Sequence, residues 1–71
     1  MISVHTAGST LTITWSQPMQ RVTIELMDAT GVVFARTSGT PELHYERSPD
    51  NNVIHVVVRA SDGNVLAKCS L

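Results

Sequence analysis

The residues able to do chemistry are few: His5, His44 and His55, the single cysteine Cys69, several serines, and six acidic side chains. Three histidines and a cysteine could in principle hold a transition metal. Their spacings, however, fit no zinc pattern, so they read as separate side chains on strand surfaces. Ser, His and Asp together could make a nucleophilic triad, yet the chain has no Gly-x-Ser-x-Gly elbow to present the serine. Asp50-Asn51-Asn52 and Asp62-Gly63-Asn64 offer oxygen ligands for calcium but lack the alternating acidic loop and its distant glutamate, which leaves turn chemistry as their reading. No cofactor motif is present, and the expectation is a protein that is not an enzyme.

Two aromatic residues suggest a different use. Trp15 and Tyr45, with the loop at Asp50, could form a small-ligand or carbohydrate-binding site, because an exposed indole stacks well on a sugar. Trp15 follows Leu11 and Ile13 at alternate positions, which instead predicts that all three face the core. Thr10, Thr12, Thr14 and Thr23 could form an ordered polar array, and read more simply as the solvated face of a sheet. Cys69 is expected to pack inward as a small hydrophobe.

These side chains must be positioned by a small domain. The chain has 71 residues, 42% of them hydrophobic and 15% charged, with five Lys plus Arg against six Asp plus Glu. Size scaling gives roughly 4,300 Å² of surface when folded against about 11,200 Å² unfolded, a core that supports a fold only marginally. Two-domain catalytic clefts are excluded by size. A nucleic-acid partner is not expected, because there is no basic excess to neutralise phosphates. No run approaches the ~18 apolar residues of a membrane-spanning helix. A lone cysteine permits no intrachain disulfide, and Met1 to Thr6 lacks the features of a signal peptide, so an exported form would require a removed leader or a longer parent chain.

Apolar residues recur with a period of two, which predicts strands and no helix of useful length. Strands are expected over Ile2 to Thr6, Leu11 to Trp15, Arg21 to Met27, Val32 to Thr37, Leu43 to Tyr45, Val53 to Ala60 and from Val65 onward. Pro18 breaks the chain after the second strand. Gly31 and Gly63 supply turns, and Asp62-Gly63 between two apolar runs is a strong hairpin signal. With Asp62 and Gly63 as a two-residue loop, Ala60 faces Val65, Val58 faces Ala67 and Val56 faces Cys69 on the inner side. Arg59 then faces Leu66, Val57 faces Lys68 and His55 faces Ser70 on the outer side. Six or seven such strands without a crossover helix predict an all-β antiparallel sandwich.

Leu11 to Trp15, Val22 to Leu26, Asp28 to Phe34, and Val56 to Val58 before Asp62-Gly63 together resemble the small immunoglobulin-like domains of unknown function in exported proteins of anaerobic gut bacteria. The resemblance implies an immunoglobulin-like sandwich spanning the whole chain, export to the periplasm or cell surface, and an accessory or protein-interaction role. It carries over no catalytic residue.

One apolar surplus bears on that role. By alternation, Val32, Phe34, Val53, Val57 and Leu66 fall opposite the core set, so both faces of their strands carry apolar side chains. Phe34, Val57 and Leu66 are therefore the expected interaction surface, for another protein or for a second copy of the chain.

Overall fold

The structure, a computed structural model, describes residues 1–17, 21–48 and 53–71. Among these are seven antiparallel strands and no helix: β1 (Ile2–Ala7), β2 (Thr10–Trp15), β3 (Val22–Met27), β4 (Val33–Ser38), β5 (Glu42–Glu46), β6 (His55–Ala60) and β7 (Val65–Ser70). No helix is therefore long and apolar enough to cross a membrane. The Pro18 break and the loop at Asp50 lie outside the described residues.

The strands form two sheets, β1-β2-β5 and β4-β3-β6-β7. The chain changes sheet between β2 and β3, between β4 and β5, and between β5 and β6. Alternation explains which side each strand buries. In β2, Leu11, Ile13 and Trp15 point inward, and in β3 Val22, Ile24 and Leu26 do the same. Val56 and Val58 of β6 complete the centre of the core, with Leu43 from β5. Val53 also belongs to this cluster, although alternation had placed it on the outer side. It precedes β6, and so escapes the strand's parity. The total exposed surface, 4374 Å², is what size scaling gives for this chain.

Both hairpins of the four-stranded sheet share one turn design. In the first, the Gly31 N–H donates to Asp28 O at 3.1 Å and Gly31 takes φ +89°. In the second, the Gly63 N–H donates to Ala60 O at 2.9 Å and Gly63 takes φ +91°. No residue other than glycine has positive φ among the described residues, so the two-residue Asp62-Gly63 loop, which needs positive φ at both positions, is not what forms. Three residues, Ser61 to Gly63, make the turn instead. Each edge strand then carries a bulge a few residues on, opposite Leu26/Met27 in one hairpin and Val58/Arg59 in the other.

The bulges decide which way side chains point. Counting back from the first turn, Met27 faces Val33, and an unbroken ladder would place Arg36 opposite Ile24, in the core. One extra residue in β4 resets the parity, so that Ala35 faces Leu26 and Arg36 faces Glu25 outside. In the second hairpin the bulge restores the register that the shorter loop would have produced: Val58 faces Ala67, Val57 faces Lys68, Val56 faces Cys69 and His55 faces Ser70. Near the turn the pairing differs from that expectation, and Arg59 faces Val65.

Candidate interaction surface

The outer face of the four-stranded sheet is organised around Glu25. The register lines up Arg36, Glu25, Val57 and Lys68 across β4, β3, β6 and β7. Glu25 is only 5% exposed, and a carboxylate that buried is found almost solely where it is paired. Arg36 supplies one partner, with Nη2 at 2.7 Å and Nε at 2.9 Å from Oε2. Arg59 supplies the other, with Nε donating to Oε1 at 2.8 Å. Burial pushes the Glu25 carboxyl up, and hydrogen bonds and charge from Arg59 and Arg36 outweigh it, so its pKa sits below the ordinary carboxylate value. Arg59 also donates to the Gly63 carbonyl at 3.2 Å, which ties the network to the second hairpin turn.

This network overturns part of the expected patch. Val57 is 3% exposed, because its outer-face neighbours are Glu25 and Lys68 across the ladder and His55 and Arg59 along its own strand. The long stems of such residues cover apolar surface while their heads stay wet. Phe34 is half-buried and packs against the core cluster, since the β4 bulge takes it out of simple alternation. Of the three residues expected to be presented, Leu66 alone is open, at 39%. Its neighbour Val65, facing Arg59, is 53% exposed. Val32 and Val33 are exposed at the other hairpin, so apolar side chains bracket the charged row at both ends of the face.

The aromatic ligand site is not assembled. Trp15 is 6% exposed within the core, so no indole face is available for stacking. Tyr45 is half-buried against the same core opposite Leu11, four positions along β2 from Trp15 or about 13 Å. Asp50 lies outside the described residues.

The histidines are dispersed. His5 and His44 flank Thr12 on the outer face of the three-stranded sheet, whereas His55 is on the other sheet, with Nδ1 3.4 Å from Ser70 Oγ. Among the described residues, no three His, Cys, Asp or Glu side chains gather in a way that could hold a metal. Two threonines of β2 are engaged with β5: Thr10 donates to Glu46 at 2.7 Å and Thr12 Oγ1 lies 3.2 Å from His44 Nδ1. Asp62 accepts from the Asn64 backbone N–H at 3.0 Å and side-chain amide at 2.9 Å, the local turn bonding its sequence suggested. Cys69 packs inward against the core, and burial pushes its thiol up, away from the reactive thiolate.

Alternation along β3 turns Glu25 outward, opposite Val22, Ile24 and Leu26, but by itself assigns it no partner. The available signal was an acidic residue midway along the most regular strand, with arginines at similar depth in the two strands now beside it. Comparison with family models, curated proteins and solved structures finds no match to this chain.

Proposed function

We propose that this chain is a non-catalytic, immunoglobulin-like interaction module of an exported or cell-surface protein. It engages a protein partner through the outer face of its four-stranded sheet. The observation that carries this reading is the pairing of exposed Val65 and Leu66 with an arginine already fixed in place by a buried carboxylate. A preorganised arginine is a residue favoured at interface centres, because little side-chain entropy is lost when the partner arrives, and Val65 and Leu66 add exposed apolar area beside it. The three-plus-four strand order with repeated changes of sheet supports the immunoglobulin-like part of the proposal. Its resemblance to small domains of exported gut-bacterial proteins supports the location.

The test uses a photo-crosslinking residue in place of Leu66, and in place of Thr14 on the opposite sheet, in extracts of the native source. A discrete protein adduct from position 66, absent from position 14 and competed by the unmodified domain, is expected. Leu66→Asp should fail to compete while keeping the native fluorescence of Trp15. Equal labelling from both positions, or competition unaffected by Leu66→Asp, overturns the proposal.

A further inference from the structure

A sandwich with two open sheets has four edge strands, here β1 and β5 in one sheet and β4 and β7 in the other. An open edge is a template for another strand, and stable proteins blunt it with bulges or charge. β4 has a bulge and Arg36, and β7 has a bulge and Lys68. β5 carries Glu42 and Glu46. β1, with the sequence Ile-Ser-Val-His-Thr-Ala, has no bulge, no proline and no Lys, Arg, Asp or Glu. It is the one edge left without such protection.

The hydrogen bonds show what that edge offers. The Ser16 N–H donates to Met1 O at 3.1 Å, and in an antiparallel ladder the backbone groups of successive residues alternate in direction. The odd residues of β1 therefore bond to β2, leaving the N–H and C=O groups of Ile2, Val4 and Thr6 aimed outward. The same three residues carry the inward-facing side chains, since Ile2 faces Trp15, Val4 faces Ile13 and Thr6 faces Leu11. Val4 nevertheless remains 40% exposed, on the wall of an open cleft that it shares with Val53, Ile54 and Leu71.

We infer that β1 pairs antiparallel with β1 of a second copy about a two-fold axis through Val4, joining two three-stranded sheets into one of six. In the register that uses all three outward residues, Val4 meets its counterpart, Ile2 meets Thr6 and Ser3 meets His5. Every outward N–H and C=O finds a partner, and inner side chains meet inner side chains. Charge singles out this edge for a copy of itself. The equivalent pairing of β7 sets Lys68 against Lys68, and that of β5 sets Glu42 against Glu46 twice, whereas that of β1 opposes no formal charges. The assembly is isologous and closes at two copies. It uses a surface separate from the Leu66 face.

Sedimentation over a concentration series tests the pairing. The wild type should pass from monomer to dimer, and Val4→Lys should raise the midpoint at least roughly tenfold by placing two ammonium groups together at the axis. Val4→Pro should do the same by deleting an outward N–H that the fold itself does not use, a position where an edge strand tolerates proline. Trp15 fluorescence verifies folding of each variant. In a Cys69→Ser background, Val4→Cys should form an interchain disulfide on mild oxidation, as directly opposed Cα atoms lie about 5.5 Å apart. His5→Cys should not, because its counterpart is offset by two residues. Leu66→Asp should leave dimerisation intact, and Val4→Lys should leave crosslinking at position 66 intact, which separates failure of this inference from failure of the proposed function. A wild type that stays monomeric to about 1 mM, or a dimer indifferent to Val4→Lys and Val4→Pro, overturns the pairing. Monomers whose β1 takes up an added extended peptide would assign the edge to a foreign strand, and overturn it equally.

Discussion

Removing the two arginines around Glu25 should cost more together than the two single losses combined. Arg36 and Arg59 have side chains 57% and 38% exposed, while that of Glu25 is 6% exposed. Water thus screens the arginines far better than the carboxylate. Arg36→Met or Arg59→Met keeps an apolar stem and leaves Glu25 one partner; discounting a charge-assisted hydrogen bond for that screening gives a loss of about 1 kcal/mol each. The double variant leaves a buried carboxylate unpaired, at about 3–5 kcal/mol. The whole domain has roughly 4–10 kcal/mol at its disposal, so the double variant should be marginally folded. The pH dependence is a sharper signature. In the wild type the arginines hold the folded pKa of Glu25 below its unfolded value, so the stabilisation is complete above the ordinary carboxylate range and is lost as pH falls through the folded pKa. In the double variant only burial remains, raising the folded pKa above the unfolded one, so the penalty shrinks as pH falls. The stability gap between the two proteins should therefore narrow from about pH 7 to about pH 4. Urea unfolding followed by Trp15 emission measures it. Strictly additive single losses, or a gap independent of pH, would refute the reasoning.

Three other substitutions and reactions probe separate parts of the fold. Gly63→Val meets no neighbouring atom but must adopt φ near +91°, so thermal unfolding should show a loss of about 1–3 kcal/mol from backbone strain, with Gly63→Asn losing less. Val57→Thr places a hydroxyl at a position 3% exposed; a loss of about 1–3 kcal/mol in urea is expected, and a neutral result would mean that the residue is open to solvent. Because its thiol is half-buried against the core and its pKa raised, Cys69 should react slowly with a disulfide reagent at neutral pH and quickly once urea unfolds the chain. Fast labelling of the native protein would show that β7 does not hold Cys69 against the core.

Local pattern was sufficient for the strands. The alternation of Leu11, Ile13 and Trp15, and of Val22, Ile24 and Leu26, placed β2 and β3 and their buried faces, because a strand's side-chain period is fixed by its backbone. The absence of a helical period excluded helices, and Gly31 and Gly63 marked their turns through the positive φ that, among the described residues, glycine alone supplies. Position 57 shows where that reading stops. Alternation correctly turns Val57 outward, but outward equals exposed only if nothing on that face is long enough to cover it. Whether Glu25, Arg59 and Lys68 meet over it depends on four strands assembled in one register, and alternation within one strand carries no such information. The bulges in β4 and β7 have the same character. Each extra residue inverts the facing of everything beyond it, and is selected by the gain from putting Arg36 and Lys68 in water and Ala35, Ala67 and Cys69 against the core. That free energy exists only once both sheets have closed on each other, so the chain's own order of residues determined the strands and turns, and the packed sandwich decided which side chains it would cover, pair or leave to a partner.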